Sequence, residues 1–350
     1  MKILSTENYN YLLKNMISIP VQPEYKLEEI QSIRKIFPDS ERYLKIENSD
    51  DIFGKPVILL GGITDTNSLF ELYNIANGLV DFGCSSLTLI IPYISYSTME
   101  LANETGEVLA IKSIARLLSS MPHKYSANRV LLFDIHSDKI LKYFTNEIQV
   151  EVISSENIVT PIIKDMIKEN DRPVLASVDM GRTDFIERIA GSLELEKIFI
   201  TKERISPTKT KVVSISETDI FGKTVIIYDD MVRTGSSLIN AANCYSAAGA
   251  SKIIAIISHG VFLENALEKI KNCNAISQIF CMNTHPNVNS LCCCRDDFLK
   301  ICDVSEIILD KLFPKAPPPK EEKEEEEPWM SNSTNYELSP QASNNPKAQQ

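Results

Sequence analysis

The amino-acid sequence predicts an α/β protein of two tandem domains, each a mostly parallel sheet flanked by helices. Short apolar runs alternate with segments of helical period from residue 56 to about residue 310, and that alternation occurs twice along the chain. Candidate strands fall at 57–60, 87–91, 130–133, 174–178, 197–200, 225–228 and 253–257. Each is a continuous Val/Ile/Leu-rich run, the pattern of strands covered on both faces. Between them, residues 67–79 place Leu69, Leu72, Ile75, Ala76 and Leu79 on one helical face, with Gly78 weakening the helix slightly. Residues 108–118 and 237–248 carry similar faces, and the second ends at Gly249, a residue suited to a helix C-terminus. Parallel neighbours need such crossovers.

A chain of 350 residues exceeds what one core usually serves. The break between the strand ending near Ile153 and a helix expected from about Thr160 divides it into domains 1–155 and 156–313. The first thirty residues show no strong period and receive no role. From 314 to 350 the composition shifts to prolines 317–319, a Glu-rich run and a Ser/Asn/Gln-rich end, which predicts a disordered tail.

Bulk properties narrow the function. A net charge of −11 argues against a general nucleic-acid binder, which needs a basic face, while leaving room for a local phosphate site. No apolar run is long enough to cross a bilayer, and the N-terminal residues lack the pattern of a secretory signal, so no membrane partner and a cytoplasmic location are expected. The eight cysteines have no CxxC spacing and fit reduced thiols.

The strongest local signal is the string from Val225 to Leu238, an apolar strand ending in Asp229 and Asp230, then Met231, Val232, Arg233, Thr234, Gly235, Ser236 and Ser237 leading into a helix. Residues 234–237 can wrap backbone N–H groups and hydroxyls around a phosphate monoester, aided by the helix N-terminus. The two aspartates can accept hydrogen bonds from vicinal sugar hydroxyls or hold a water of a magnesium ion. Together they suit a sugar phosphate. A plain strand, turn and helix cap is the alternative.

The full string resembles the PRPP-binding loop shared by type I phosphoribosyltransferases and PRPP synthetases (ribose-phosphate diphosphokinases). Other segments, from Phe37 to Asp310, resemble the PRPP synthetase family in the same order. Phe37-Pro38-Asp39-Ser40-Glu41 is similar to its Phe-Ser-Asp-Gly-Glu near the adenine site, and Thr66-Asn67 through Glu71 to its Thr-Asn-Asp-Asn-Leu-Met-Glu. Ile91-Pro92-Tyr93-Ile94-Ser95-Tyr96 is similar to its Ile-Pro-Tyr-Phe-Gly-Tyr, and Ser258-His259-Gly260 to its Thr-His-Gly. Phe133-Asp134-Ile135-His136 and Ser177-Val178-Asp179-Met180-Gly181 resemble the segments whose histidine and aspartate serve magnesium. Lys202-Glu203-Arg204 resembles a Lys-Arg-Arg on a mobile catalytic loop.

The resemblance implies two phosphoribosyltransferase-like domains and transfer of the diphosphoryl group of ATP to ribose 5-phosphate, giving PRPP and AMP. It implies Lys202 and Arg204 as catalytic cations, and Asp229, Asp230 and residues 233–237 as the ribose 5-phosphate site. His136 and Asp179 would serve Mg2+, and Asp39, Ser40, Glu41, Thr98 and Met99 would stand at the ATP site of a homo-oligomer, dimer or hexamer. Two departures matter: Thr98 and Met99 stand where the family usually has Arg and Gln contacting ATP, and Arg233 replaces a usual aspartate. They keep open a catalytically silent regulatory subunit and, less well suited to two domains, a PRPP-consuming phosphoribosyltransferase.

Overall fold

The computed structural model describes residues 1–145, 148–168, 172–206, 209–215, 218–291 and 297–314, and the side chains of residues 168 and 202–217 fall outside that description. Cysteines 292–294 and the expected tail beyond residue 314 lie outside the described residues. The five described cysteines are unpaired thiols.

Strands β1 (Lys2–Ser5), β2 (Glu28–Glu29), β3 (Ser32–Ile36), β4 (Arg42–Ile46), β5 (Pro56–Leu60), β6 (Ser86–Ile91), β7 (Arg129–Phe133) and β8 (Gln149–Ile153) belong to the first half. Six of them form a parallel sheet ordered β2-β1-β5-β6-β7-β8. The other two, β3 and β4, form a separate antiparallel hairpin. The second half contributes β9 (Val174–Ser177), β10 (Lys197–Ile198), β11 (Ile200–Ser206), β12 (Lys209–Ile215), β13 (Thr224–Val232), β14 (Lys252–Gly260), β15 (Gln278–Met282) and β16 (Leu299–Cys302). Its parallel sheet runs β10-β9-β13-β14-β15-β16. The two six-stranded parallel sheets bear out the α/β architecture read from the alternating runs.

Four details differ from the sequence reading. Residues left without a role supply β1, which lies between β2 and β5, and helix α1 (Asn10–Ser18), whose Leu12, Leu13 and Met16 are buried. A four-residue strand is too short for a periodic signal. The helix expected from about Thr160 starts at Glu156, because Pro161, a residue that usually marks a first turn, sits inside it. The strand expected at 197–200 divides: β10 joins the sheet, whereas β11 leaves it to pair with β12. Finally, β13 runs on to Val232, so Asp229 and Asp230 lie inside the strand rather than beyond it.

The helices expected over 67–79, 108–118 and 237–248 are present as Thr66–Asp81, Ala110–Ser119 and Ser236–Ala247. Asp65 caps the first in a reciprocal capping box with Ser68. One apolar layer joins the two halves, holding Ile3, Ile58 and Leu131 of the first sheet with Leu175, Ile226 and Ile256 of the second. Helix α1 contributes Leu12 and Met16 to this layer, and the C-terminal helix Ser305–Leu312 contributes Ile308. Tyr9 and Tyr11 add hydrogen bonds to the carbonyls of Thr284 and Asn283, at 3.0 and 2.7 Å. The N-terminal segment is thus mortar between the halves, and the sheet ends it fixes face one another at the cleft.

Beside this junction, His285 caps the short helix Pro286–Ser290 by accepting the Asn287 N–H on Nδ1 at 3.2 Å, and its ring packs edge-on against Tyr93. Burial, assisted by the nearby His259, pushes its pKa down to about 4. Below the ordinary histidine value of about 6.5, the unfolded chain takes up a proton that the native ring refuses. Stability therefore falls as pH drops from about 6.5 towards 4, by about 2 kcal/mol at pH 5. Urea unfolding at pH 7 and pH 5 checks this; His285→Asn, which keeps a capping oxygen, should flatten the slope, and an unchanged slope would exclude His285 as its source.

Candidate active site

The two sheets bring their sequence-distant polar residues together at the carboxyl end of β13. There a cleft of about 360 Å³ is lined by Thr98, His136, Val178, Asp179, Gly181, Arg182 and residues 229–238. Strand ends and the turns beyond them are where open α/β sheets usually bind ligands.

The phosphate-loop candidate takes the shape its sequence requires. Gly235 has φ +81° and caps helix Ser236–Ala247, presenting that helix's N-terminus to the cleft. A Cβ on Gly235 would sit 2.8 Å from Ile270 Cγ1. Thr234, Ser236 and Ser237 are exposed around it, with Thr234 Oγ1 3.3 Å from Ser236 Oγ. Gly235→Ala is expected to lose about 1–2 kcal/mol through backbone strain alone. Its affinity for ribose 5-phosphate should fall about tenfold or more, read by calorimetry; unaltered affinity would detach this loop from phosphate binding.

The adjacent aspartates occupy opposite electrostatic settings. Asp230 Oδ2 accepts from His136 Nδ1 at 2.6 Å and from Arg182 Nη2 at 2.6 Å. Burial opposes its charge, but the hydrogen bond from His136 and the Arg182 guanidinium outweigh burial and hold its carboxyl below the ordinary range. Asp229 has no comparable pairing. Burial first, then the charges of Asp230 and Asp179, push its pKa well up. The hydrogen bond to Asp230 raises the pKa of His136 against the opposing effect of burial.

Four hydrogen bonds tie the end of β7 to the second half. Tyr228 donates to Asp134 Oδ2 at 2.6 Å, and His259 Nε2 lies 3.1 Å from the Asp134 carbonyl. Arg182 Nη2 donates to the Ile135 carbonyl at 3.3 Å, and His136 completes the series on Asp230. Asp134, Asp230 and His259 are buried, so this seam is a polar junction shielded from solvent. Arg233 spans the two halves at the cleft mouth, donating from Nη2 to Thr98 Oγ1 at 3.2 Å and from Nε to Met231 Sδ at 3.3 Å.

The structure therefore assembles ten expected residues around one cleft: Thr98, His136, Asp179, Asp229, Asp230, Arg233, Thr234, Gly235, Ser236 and Ser237. It does not bring Asp39, Ser40, Glu41 or Met99 into its lining. The first three form the exposed tip of the β3–β4 hairpin, where Ser40 has φ +72° at the position of the family's glycine. Met99 is exposed. Lys202 and Arg204 stand on β11, in register with Val212 and Thr210 of β12, and their side chains lie outside the described residues. Arg182 was missed; in the sequence it looks like one charge in a turn, and its partners Ile135 and Asp230 lie 47 and 48 positions away.

Among the described residues, no group of three or more His, Cys, Asp or Glu forms a ready metal cage. Magnesium seldom uses one, since it is commonly held by one or two carboxylates together with waters and substrate phosphates. With its proton on Nδ1 and given to Asp230, a neutral His136 would keep Nε2 as its lone-pair nitrogen, the orientation seen when a carboxylate positions a ligating histidine. The donors present fit a divalent cation.

Residues 1–121 match the N-terminal domain of ribose phosphate pyrophosphokinase, and residues 194–313 match the phosphoribosyl synthetase-associated domain. The ribose-phosphate pyrophosphokinase of Pyrococcus abyssi is 30% identical over 254 residues, covering 72% of this chain and 83% of that protein. That of Sulfurisphaera tokodaii is 28% identical over 81% of this chain and 91% of its own length. In fold, the chain is similar to the phosphoribosylpyrophosphate synthetase of Mycobacterium smegmatis, with a TM-score of 0.75 and 21% identity over 89% of this chain and 97% of that one.

Proposed function

We propose that this chain, which belongs to the ribose-phosphate pyrophosphokinase family, transfers the diphosphoryl group of ATP to O1 of ribose 5-phosphate, yielding PRPP and AMP. The observation that carries the reading is the convergence of His136, Asp179, the Asp229–Asp230 pair and loop 233–237 on one cleft. In this reading the loop holds the 5-phosphate through the helix N-terminus and the hydroxyls of Thr234, Ser236 and Ser237. Asp229 accepts from the ribose hydroxyls and aims O1 at the β-phosphorus.

A bond forms between O1 and that phosphorus as its bond to the α-phosphate oxygen breaks, and the O1 proton is released. Asp179 and His136 Nε2 would hold Mg2+, which neutralises charge on the phosphate oxygens when bound. Lys202 and Arg204, carried on the β11–β12 hairpin, close over the reacting phosphates as charge develops. Arg233 places a guanidinium beside Thr98, so the cleft edge keeps a cation although residue 98 is not an arginine. Asp39, Ser40, Glu41 and Met99, away from this cleft, would meet the nucleotide in an assembled homo-oligomer.

ATP labelled in its γ-phosphate tests the transfer. With ribose 5-phosphate and magnesium, the label should appear in PRPP. Label in inorganic phosphate, or ADP in place of AMP, would contradict diphosphoryl transfer.

A further inference from the structure

We propose that Arg182 is a resident cation of the cleft that sets its affinity for divalent metal and for diphosphate in opposite directions, and that it keeps Asp230 as the orienter of His136. This deepens the reading of the cleft as a diphosphoryl-transfer site and rests on it. Four carboxylates gather here: Asp179 on the cleft wall, with Asp134, Asp229 and Asp230 buried around the β7–β13 junction. Against them, among the described residues, stands one buried guanidinium, Arg182, whose side chain is only 13% exposed.

Among the described residues, the hydrogen bonds of Arg182 run through Nη2, to Asp230 Oδ2 and the Ile135 carbonyl, while Nε is buried without a partner. The side-on fork of Nε and Nη2 suits an oxyanion with two oxygens, and here it is half filled. Its charge also answers the question of Asp230. An oxygen that already accepts from both His136 and Arg182 has little left to offer a metal ion, and a fixed positive charge beside it repels one. Arg233, the other guanidinium lining the cleft, is exposed at the mouth and engaged with Thr98 and Met231, so it does not duplicate this role.

Removing the charge should therefore make the nucleotide-free protein bind cations more tightly and anions more weakly. General damage would weaken both. The test uses the full chain, with free Mn2+ counted by electron paramagnetic resonance and inorganic diphosphate titrated calorimetrically in EDTA. In Arg182→Gln the Mn2+ affinity should rise, and the diphosphate affinity fall, each by about tenfold or more. Arg182→Lys, which keeps the charge, should retain Mn2+ affinity within about twofold of the wild type.

If Arg182→Gln does not fold, the neutral, unbranched Arg182→Met carries the same expectation. Affinities that stay unchanged, or that move in the same direction, overturn the proposal, as does Arg182→Lys binding Mn2+ as tightly as the neutral variants. Wild-type turnover of ATP and ribose 5-phosphate tests the underlying reading separately, because the binding of bare ions requires no reaction.

Discussion

Asp230→Ala is expected to remove about 3–5 kcal/mol of folding stability, because it strips the counter-charge from a buried network. His136 and Arg182 both end on that carboxylate, and both also belong to the hydrogen-bonded seam between the halves. Removing that carboxylate leaves a desolvated guanidinium without its hydrogen-bonded counter-charge. Thermal unfolding should show Tm lower by on the order of 10 °C.

The neighbouring residue supplies the contrast. Asp229 is pushed towards its neutral form by burial and by two like charges. Asp229→Asn, which copies the neutral acid, should change stability by less than about 1 kcal/mol or raise it, since it relieves that repulsion. Equal destabilisation by the two variants would contradict the electrostatic difference between adjacent carboxylates.

Lys202→Ala should lower kcat about a thousandfold while the ribose 5-phosphate KM stays within about twofold, since a cation used only on developing phosphate charge adds little to ground-state binding. The β11–β12 pair leaves the main sheet after β10, so a charge on it can approach the cleft without belonging to the rigid core. Steady-state kinetics with each substrate varied in turn gives both numbers. A parallel loss of ribose 5-phosphate binding would assign Lys202 to the sugar site instead.

What the sequence made legible was local. The string from Val225 to Leu238 contains a strand, its carboxylates, its tight turn and its helix start within fourteen consecutive positions. Gly235 takes the positive φ its turn needs, and three hydroxyl side chains stand exposed around it. The paired sheets were legible for the same reason, because Val57 to Leu60 or Ile253 to Ile257 are apolar whatever lies next to them.

The junction was not legible, because it is built from contacts of long sequence separation. Nothing in Ile135-His136 or in Gly181-Arg182 says that both converge on Asp230. Tyr228 looks like one more strand residue until its hydroxyl is found 2.6 Å from Asp134. The N-terminal residues gave no period because β1 is four residues long, and its place between β2 and β5 depends on partners more than twenty positions away. Resemblance supplied Asp39, Ser40 and Glu41, and the structure keeps them apart from the cleft.

The most direct test of the central claim is a mass-resolved assay of the purified chain with ATP, ribose 5-phosphate and magnesium. The account predicts AMP and PRPP in equal amounts, both abolished in Lys202→Ala. Ribose 5-phosphate that binds but yields neither product, with ATP or any other nucleoside triphosphate, would contradict it and mark the chain as a silent subunit of the same fold.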